Sequence, residues 1–538
     1  MNINNKNSQE KLSDNLTPYD EMPYESYPFP YTRPEYTRTV GKLFGMNPPD
    51  IETARILELG SSNGGNLVNF AANYPKSYTI GVDLSKVEID NGNKKITELG
   101  LKNIELKHMS ITDIDENFGQ FDYIICHGVF SWVPKFVRDK ILEVTKKLLT
   151  PNGIAFISYN TLPGWNMINT IRDMMMFHSS IFDDTQNKLQ QAKLFLNFVN
   201  ESLDSSASPY AKFLKLEAGN LSKHEDHYLR HEYLAEENVQ FYFHDFMDMA
   251  KVQGLSYLGD TNIHAMFLGN LPESAAEKLK SINDIVRTEQ YMDFIQNKRF
   301  RCTLLCHDNI TLNRNINAEI LSDFYMTCNI IPEKGEKELD LSNAFENIAF
   351  YFNGQKDASV STSSPIMKAI FYSFAENIGN PLKSTQLLSF AHKKLPKLTL
   401  DEFKAEFANS IPRLIFSGYI KIFTVKPKAV NTISKKPKVT ELCRYQINNC
   451  PINKQWITNQ VNEIQTIQHY EKFVLELLNG DHTIDQLETH LFEKLKTGEL
   501  VANEGDQRVT DEKALKELAK QCVGSSLERF RTNFVLVE

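Results

Sequence analysis

The chain has 538 residues, 41% hydrophobic and 24% charged, with a formal net charge of −9. Length and composition describe a soluble globular protein of about two to four domains. The acidic balance argues against a chain wrapped on nucleic acid, which would carry a basic face, and no run of about 18 apolar residues is present to span a membrane.

Residues 1–18 are polar and asparagine-rich and lack the apolar stretch of a secretory signal. They are expected to form a disordered tail, and a reducing cytoplasm is the expected compartment. The segment 19–50 opens with YDEMPYESYPFPYTRPEY, whose prolines forbid a regular helix and whose aromatics suit a chain laid across another surface. Asn47–Asp50, NPPD, has the outline of a base-holding motif of DNA-methylating enzymes, but it ends in an acid where an aromatic would stack on the base, so it reads as a turn.

Over 51–164 strands alternate with helices. ARILELG, SYTIGVDLS, NIELKHMSI, FDYIICHGVF and GIAFISYN read as strands; NGGNLVNFAANYP, KVEIDNGNKKITELGL and VPKFVRDKILEVTKKLLTPNG read as helices. Such alternation predicts a parallel sheet with helical crossovers. From 165 the strand rhythm stops. GWNMINTIRDMMMFHSSIF and TQNKLQQAKLFLNFVNESL are amphipathic, making 165–220 a helical insert, and 221–352 is a mixed middle region. Within it, His224, His227 and His231 read as a solvated or partner-facing helix rather than a zinc site. Cys302 and Cys306 in RCTLLCH lack the second ligand pair that zinc needs and read as strand cysteines. No metal is expected, and seven sparse cysteines make no disulfide framework. Asn353–Pro365 reads as a polar linker, and 366–538 as a helical C-terminal domain interrupted by a solvated basic loop, Lys426–Lys438.

ILELGSSNGGN, Ile56–Asn66, is an apolar run, an acid and a glycine turn opening a helix, the layout of a nucleotide cradle. Gly60 is followed by Ser61, Ser62 and Asn63, then Gly64 and Gly65, so the dinucleotide spacing is absent, as is the lysine of a P-loop. No pyrophosphate is expected there. Asp83, ending the next strand, stands where an acid accepts ribose hydroxyls. A ribose without phosphates, held near a cationic group, points to S-adenosylmethionine, with Glu58 holding the methionine end indirectly.

ELGSSNGGN, GVDLS, FDYIICHGVFSWVP and SYNTLPGW resemble the class I methyltransferase domain of bacterial proteins that also carry a methyltransferase regulatory domain. Tyr228–Asp260 resembles that regulatory domain, and the aromatic YPFPYTRPE segment belongs to the same pattern. Within this group the chain is most similar to the rickettsial protein-lysine methyltransferases that act on outer membrane protein B. The resemblance spans nearly the whole chain. It implies an α/β fold: a class I, Rossmann-like, S-adenosylmethionine-dependent methyltransferase domain followed by helical, mixed and winged-helix-like domains. It also implies methylation of lysine side chains on a bacterial surface protein, S-adenosylhomocysteine as product, no nucleic-acid partner, no stable membrane insertion and a homodimer built through the helical insert.

The expected cofactor contacts are Tyr27, Arg33, Glu58, Gly60, Ser61, Ser62, Asn63, Gly64, Asn66, Asp83, Leu84, Ser110, Ile111, His127 and Gly128. Tyr27 and Arg33 are expected to close over the cofactor, Arg33 pairing with its carboxylate. Two departures stand out: Ser62 where related enzymes often have glycine, and Ser110 where an acid often lies near adenine. Acceptor chemistry belongs at the carboxyl ends of the strands, which makes His127, Trp132, Tyr159 and Asn160 the catalytic candidates. His127 is open as a base or as a neutral, loop-fixing ring. Phe130, Trp132 and Trp165 are candidates for walling a methyl-lysine by cation–π contact. Two rival readings are methylation of a small metabolite and a catalytically silent, cofactor-binding scaffold.

Overall fold

Apolar runs of strand length between glycine and proline turns build the centre of one sheet. The computed structural model describes residues 26–203, 206–428, 430–451, 454–504 and 507–537. The tail expected at 1–18 and the start of the aromatic segment lie outside these residues. Strands β1 (Arg55–Leu59), β2 (Tyr78–Asp83), β3 (Ile104–His108), β4 (Phe121–Cys126) and β5 (Leu149–Asn160) are parallel neighbours in the order β3-β2-β1-β4-β5. Helix α1 (Pro34–Leu43) precedes them, and α2 (Gly65–Asn73), α3 (Lys86–Glu98) and α4 (Lys135–Leu148) connect them.

The sheet does not stop at β5. The chain leaves it for some ninety residues and returns as β6 (Leu255–Asp260) and β7 (Phe300–His307), β7 antiparallel to both β5 and β6. Seven strands in the order β3-β2-β1-β4-β5-β7-β6 result. A division at 164 therefore cuts this sheet, and the end of the regulatory-domain segment is one of its strands. RCTLLCH is β7, with Leu304, Leu305 and Cys306 buried. Arg301 of β7 is buried and donates to Glu289 at 2.8 Å and to Asp293 at 2.8 and 2.9 Å, tying helix Ile285–Gln296 to the strand. Removing one member of such a group would leave a buried charge unpaired, at a cost of about 3–5 kcal/mol.

Between β5 and β6 lie α5 (Gly164–Ser179), α6 (Thr185–Ser202), α7 (Pro209–Leu221) and α8 (Asp226–Tyr233). They share a core of Trp165, Ile168, Ile171, Met175, Leu189, Leu196, Leu214, Leu229 and Tyr233, so the insert runs past 220 to include α8. Asp184 caps α6 by accepting from Asn187 N, and Ser208 caps α7 by accepting from Ala211 N with Pro209 at the first turn.

Asn353–Pro365 is not a linker. Asn353 and Gly354 take left-handed φ of 52° and 71° and turn a hairpin between antiparallel strands Ile348–Phe352 and Ser359–Thr362. The loop they open runs over 353–358 and is closed by Gln355 N on Phe352 O at 3.0 Å and Phe352 N on Ala358 O at 2.8 Å. Helices Pro365–Ala375, Ser384–Lys394 and Leu400–Phe416 share a core with Phe324, Phe350 and, through Val40 and Leu43 of α1, one face of the large sheet. A separate core from Val439 to Leu536 holds helices Glu441–Asn449, Ile484–Thr497 and Glu512–Thr532 as a winged-helix domain. The region 366–538 is thus two bodies. The basic loop between them lies back on its neighbours: Lys428 donates to Asn73 O at 2.6 Å and Lys426 to Asn380 Oδ1 at 2.9 Å. Among the described residues no helix is long and apolar enough to cross a membrane, and no group of three or more His, Cys, Asp or Glu is placed to hold a metal ion.

Candidate active site

The turn after β1 reverses the chain through left-handed residues at Gly60 (φ 77°), Ser62 (φ 47°) and Gly64 (φ 72°). A Cβ on Gly60 would stand 2.3 Å from Val129 Cγ2, so the turn packs directly on the loop after β4. Gly60 N and Ser61 N donate to Val82 O at 2.9 and 3.0 Å. Ser62 N and Ser85 N donate to Asp83 Oδ2 and Oδ1 at 2.8 and 2.9 Å. Both carboxylate oxygens are thereby oriented at the end of β2, beside the glycine turn. Ser62 accepts the left-handed geometry, with its hydroxyl buried and without a hydrogen-bond partner among the described residues. Asn63 is committed to α3: it donates to Glu88 at 2.9 Å and accepts from Lys95 at 2.8 Å, which makes it a support of the turn. Leu84 is exposed beside Asp83, and Ser110 spends its hydroxyl on Thr112, capping the short turn that carries Ile111.

Residues 26–33 form a strap across this turn, and Asn66 is its anchor. Asn66 Oδ1 accepts from Phe29 N at 3.1 Å, and its Nδ2 donates to Thr32 Oγ1 at 2.6 Å and to Glu58 Oε1 at 3.0 Å. Gly65 N donates to Ser26 Oγ at 3.1 Å, and a Cβ on Gly65 would stand 2.6 Å from Ser26 O. Gly65 therefore makes room for the strap rather than for a ligand. Two strap residues point elsewhere than expected. The ring of Tyr27 lies 5.5 Å from Trp456 of the winged-helix domain. Arg33 is buried 3.6 Å from Glu35, so its carboxylate partner is an internal one.

Glu58 is buried, and its Oε2 has no hydrogen-bond partner among the described residues. Burial pushes its carboxyl up to about 8, opposed by the Asn66 bond and reinforced by the charge of Asp83. An aimed carboxylate, a second carboxyl with an unpaired oxygen and a turn whose Asn63 side chain is engaged on α3 fit a cationic nucleoside such as S-adenosylmethionine. In the unfolded chain Glu58 ionises near 4.5. Its contribution to stability is thus present below about pH 4.5 and is lost as pH rises toward 8. A cation seated beside it favours the ionised form. Binding of S-adenosylmethionine at pH 7 is therefore expected to release close to one proton, read by calorimetry in buffers of different ionisation enthalpy. Glu58→Gln should abolish the buffer dependence; its persistence would move the proton to another group.

The carboxyl ends of β4 and β5 form the other wall. His127 Nδ1 lies 2.9 Å from Ser158 Oγ and Nε2 lies 3.3 Å from Tyr31 OH. Phe29, Phe156 and Phe300 surround the ring at 4.2, 5.8 and 6.2 Å. Burial lowers its pKa to about 4, so at neutral pH His127 is an uncharged ring with weak affinity for a proton. It stands in the wall of the site with both ring nitrogens engaged, on Ser158 and on Tyr31. Gly128 takes φ 69° with open space where a Cβ would stand, and its N–H donates to Ser158 Oγ at 2.9 Å. Asn160 is 3% exposed, with its N–H on Ser131 Oγ and its side-chain Nδ2 on Asn238 Oδ1 at 3.0 Å.

Tyr159 is not in the site. Strand side chains alternate in direction, and with Ser158 and Asn160 on the site face Tyr159 stacks on Phe246 at 4.1 Å and bonds to Thr303. Phe130 is buried against Phe241 and Phe246, and Trp165 sits in the insert core with half-buried Trp132 against it at 6.2 Å. The aromatic wall is instead Phe29, Tyr31, Phe156 and Phe300. Of these, Phe300 arrives on β7 from far along the chain, and nothing local in the sequence marks it.

The chain matches the family described as a methyltransferase domain over residues 56–153, the predicted methyltransferase regulatory domain over 225–307 and the PKMT C-terminal winged helix domain over 435–535. It is 49% identical over 520 residues to protein RP789 of Rickettsia prowazekii (strain Madrid E), covering 97% of this chain and 94% of that one. It is 52% identical to PKMT2 from Rickettsia typhi, with a TM-score of 0.89 over 96% of this chain and 100% of that one. PKMT2 has also been solved in complex with AdoHcy, with the same identity and TM-score. The fold, the cradle and these full-length likenesses agree that the chain belongs to the PKMT family of S-adenosylmethionine-dependent methyltransferases.

Proposed function

We propose that the protein transfers methyl groups from S-adenosylmethionine to lysine side chains of a protein acceptor, an outer membrane or surface protein of the bacterium. The observation that carries this reading is the apolar wall at the ends of β4 and β5, where Phe29, Tyr31, Phe156, Phe300 and an uncharged His127 cluster and the amide residue Asn160 is paired across the sheet with Phe300. A free lysine with a pKa of about 10.4 is neutral in roughly one molecule in 10³ at pH 7. Desolvation against such rings raises that fraction. The cofactor supplies a sulfonium methyl whose sulfur keeps the C–S bonding pair as the amine lone pair forms the new N–C bond. The proton lost by the ammonium goes to solvent. Asp83 and the glycine turn hold the nucleoside, and the strap keeps water from that side. Membership of a family named for its PKMT winged-helix domain supports the lysine, and resemblance to the rickettsial enzymes supports the surface protein. The test is incubation with labelled S-adenosylmethionine and a recombinant fragment of outer membrane protein B, followed by mass spectrometry. Methylated lysines are expected; label found only in small molecules, or nowhere, would overturn the reading.

A homodimer through the insert is part of the same proposal. Met175 and Leu189 are buried within it, whereas Phe177, Ile181 and Phe198 are 78%, 74% and 62% exposed. Phe177 and Phe198, not Met175, are thus the positions to alter. Light scattering should give a dimer for the native chain and a monomer for Phe198→Glu. A native monomer at micromolar concentration would end the proposal.

A further inference from the structure

Four side-chain amides from three parts of the chain meet at the open end of β5. Asn160 ends the strand, Asn238 and Gln240 lie in the segment before helix Phe243–Val252, and Asn169 lies on α5. That segment is pinned to the strand end by its backbone: Val239 N donates to Ser131 O at 2.8 Å, Phe241 N to Asn160 O at 3.0 Å and Leu162 N to Phe241 O at 2.9 Å.

The two ends of a side-chain amide have the same shape, and only their partners decide which way each points. Here one backbone group decides all of them. Gln240 Nε2 lies 2.8 Å from Asn238 O, a carbonyl that can only accept, so this end of Gln240 is the NH₂. The same NH₂ lies 3.0 Å from the Asn238 side chain, which must therefore present its Oδ1. Asn160 turns its own NH₂ to that oxygen at 3.0 Å. At the far end Gln240 Oε1 accepts from Asn169 Nδ2 at 3.0 Å. This sense is kept although it leaves Asn238 Nδ2 buried without a partner. Rotating Asn238 to relieve that nitrogen would set it against two N–H donors.

The consequence falls on Asn160. One N–H of its NH₂ is committed to the relay, which fixes the amide's sense, and among the described residues no donor reaches its Oδ1. The side chain sits two residues along β5 from Ser158, the partner of His127 and Gly128, on the same face of the strand. We propose that the relay Asn169–Gln240–Asn238 locks Asn160 so that its Oδ1 accepts a hydrogen bond from an N–H of the acceptor amine, directing the nitrogen lone pair at the methyl group. Asn160 is then the group that touches the substrate, and Asn238 and Gln240 are positioning residues. The relay rests on the lysine reading above and adds what orients the amine.

The test uses the full chain with S-adenosylmethionine and the fragment of outer membrane protein B, comparing kcat with the Kd for S-adenosylhomocysteine. Asn238→Leu removes the shared acceptor and frees Asn160 to rotate. Its kcat should fall at least about tenfold, as misplacement of a reacting group does, while the Kd stays within about twofold. Asn238→Asp keeps an oxygen for both donors and should recover kcat to within about threefold of native. Gln240→Glu, close to isosteric, loses the NH₂ that sets the sense and should fall like Asn238→Leu, which covers the case in which the leucine variant does not fold. Native-like kcat in Asn238→Leu or Gln240→Glu, or an aspartate variant as slow as the leucine one, would overturn the relay while leaving lysine methylation standing. A native chain that methylates no lysine overturns both, and is seen before any variant is made.

Discussion

Gly60→Ala is expected to abolish cofactor binding while leaving the protein folded. At φ 77° an L-residue is strained by about 1–2 kcal/mol, and the new Cβ stands 2.3 Å from Val129 Cγ2. The turn has to move away from the loop after β4, carrying with it the N–H groups that Val82 O and Asp83 hold. Calorimetry with S-adenosylhomocysteine should find no binding at concentrations that saturate the native chain, with the Tm lowered by only a few degrees. Adding Val129→Ala removes the clash but not the strain, so the double variant should recover binding in part. Gly64→Val tests the second left-handed position, where φ is 72° and Leu106 Cδ1 stands 3.0 Å from the added Cβ. Normal affinity in both Gly60→Ala and Gly64→Val would place the nucleoside elsewhere.

Asp83→Ala should weaken S-adenosylhomocysteine by roughly 1.5–3 kcal/mol, the worth of charge-assisted hydrogen bonds, or about ten- to a hundredfold in Kd. The loss has two parts. The ribose hydroxyls lose their acceptor, and Ser62 N and Ser85 N lose theirs, which loosens the turn. Asp83→Asn separates the two poorly, because its NH₂ must face one of those backbone N–H groups; it should be nearly as weak as alanine. An alanine variant with native affinity would remove Asp83 from the site.

What the sequence by itself determined is the part of the molecule written in local pattern. Alternating strand and helix runs specify the five parallel strands of the sheet, the ELGSSNGGN turn and the GVDLS acid specify the cradle, and RCTLLCH specifies a buried strand. The Asn353–Gly354 pair was written there too, and its two left-handed residues open the loop of a hairpin. Periodicity and turn chemistry act over a few residues and survive in any context. Tertiary structure alone decided the rest. β7 pairs with β5 across more than a hundred residues and brings Phe300 to His127. The register of β5 put Ser158 and Asn160 in the site and Tyr159 in the core. The strap chose Gly65 as its seat and gave Arg33 an internal partner in Glu35. The amide relay joins three segments that share no local pattern. The physical reason is the same in each case: a side chain's partner is set by which distant surfaces pack together, and that packing is a property of the whole chain's buried area and strand pairing rather than of any short stretch of it.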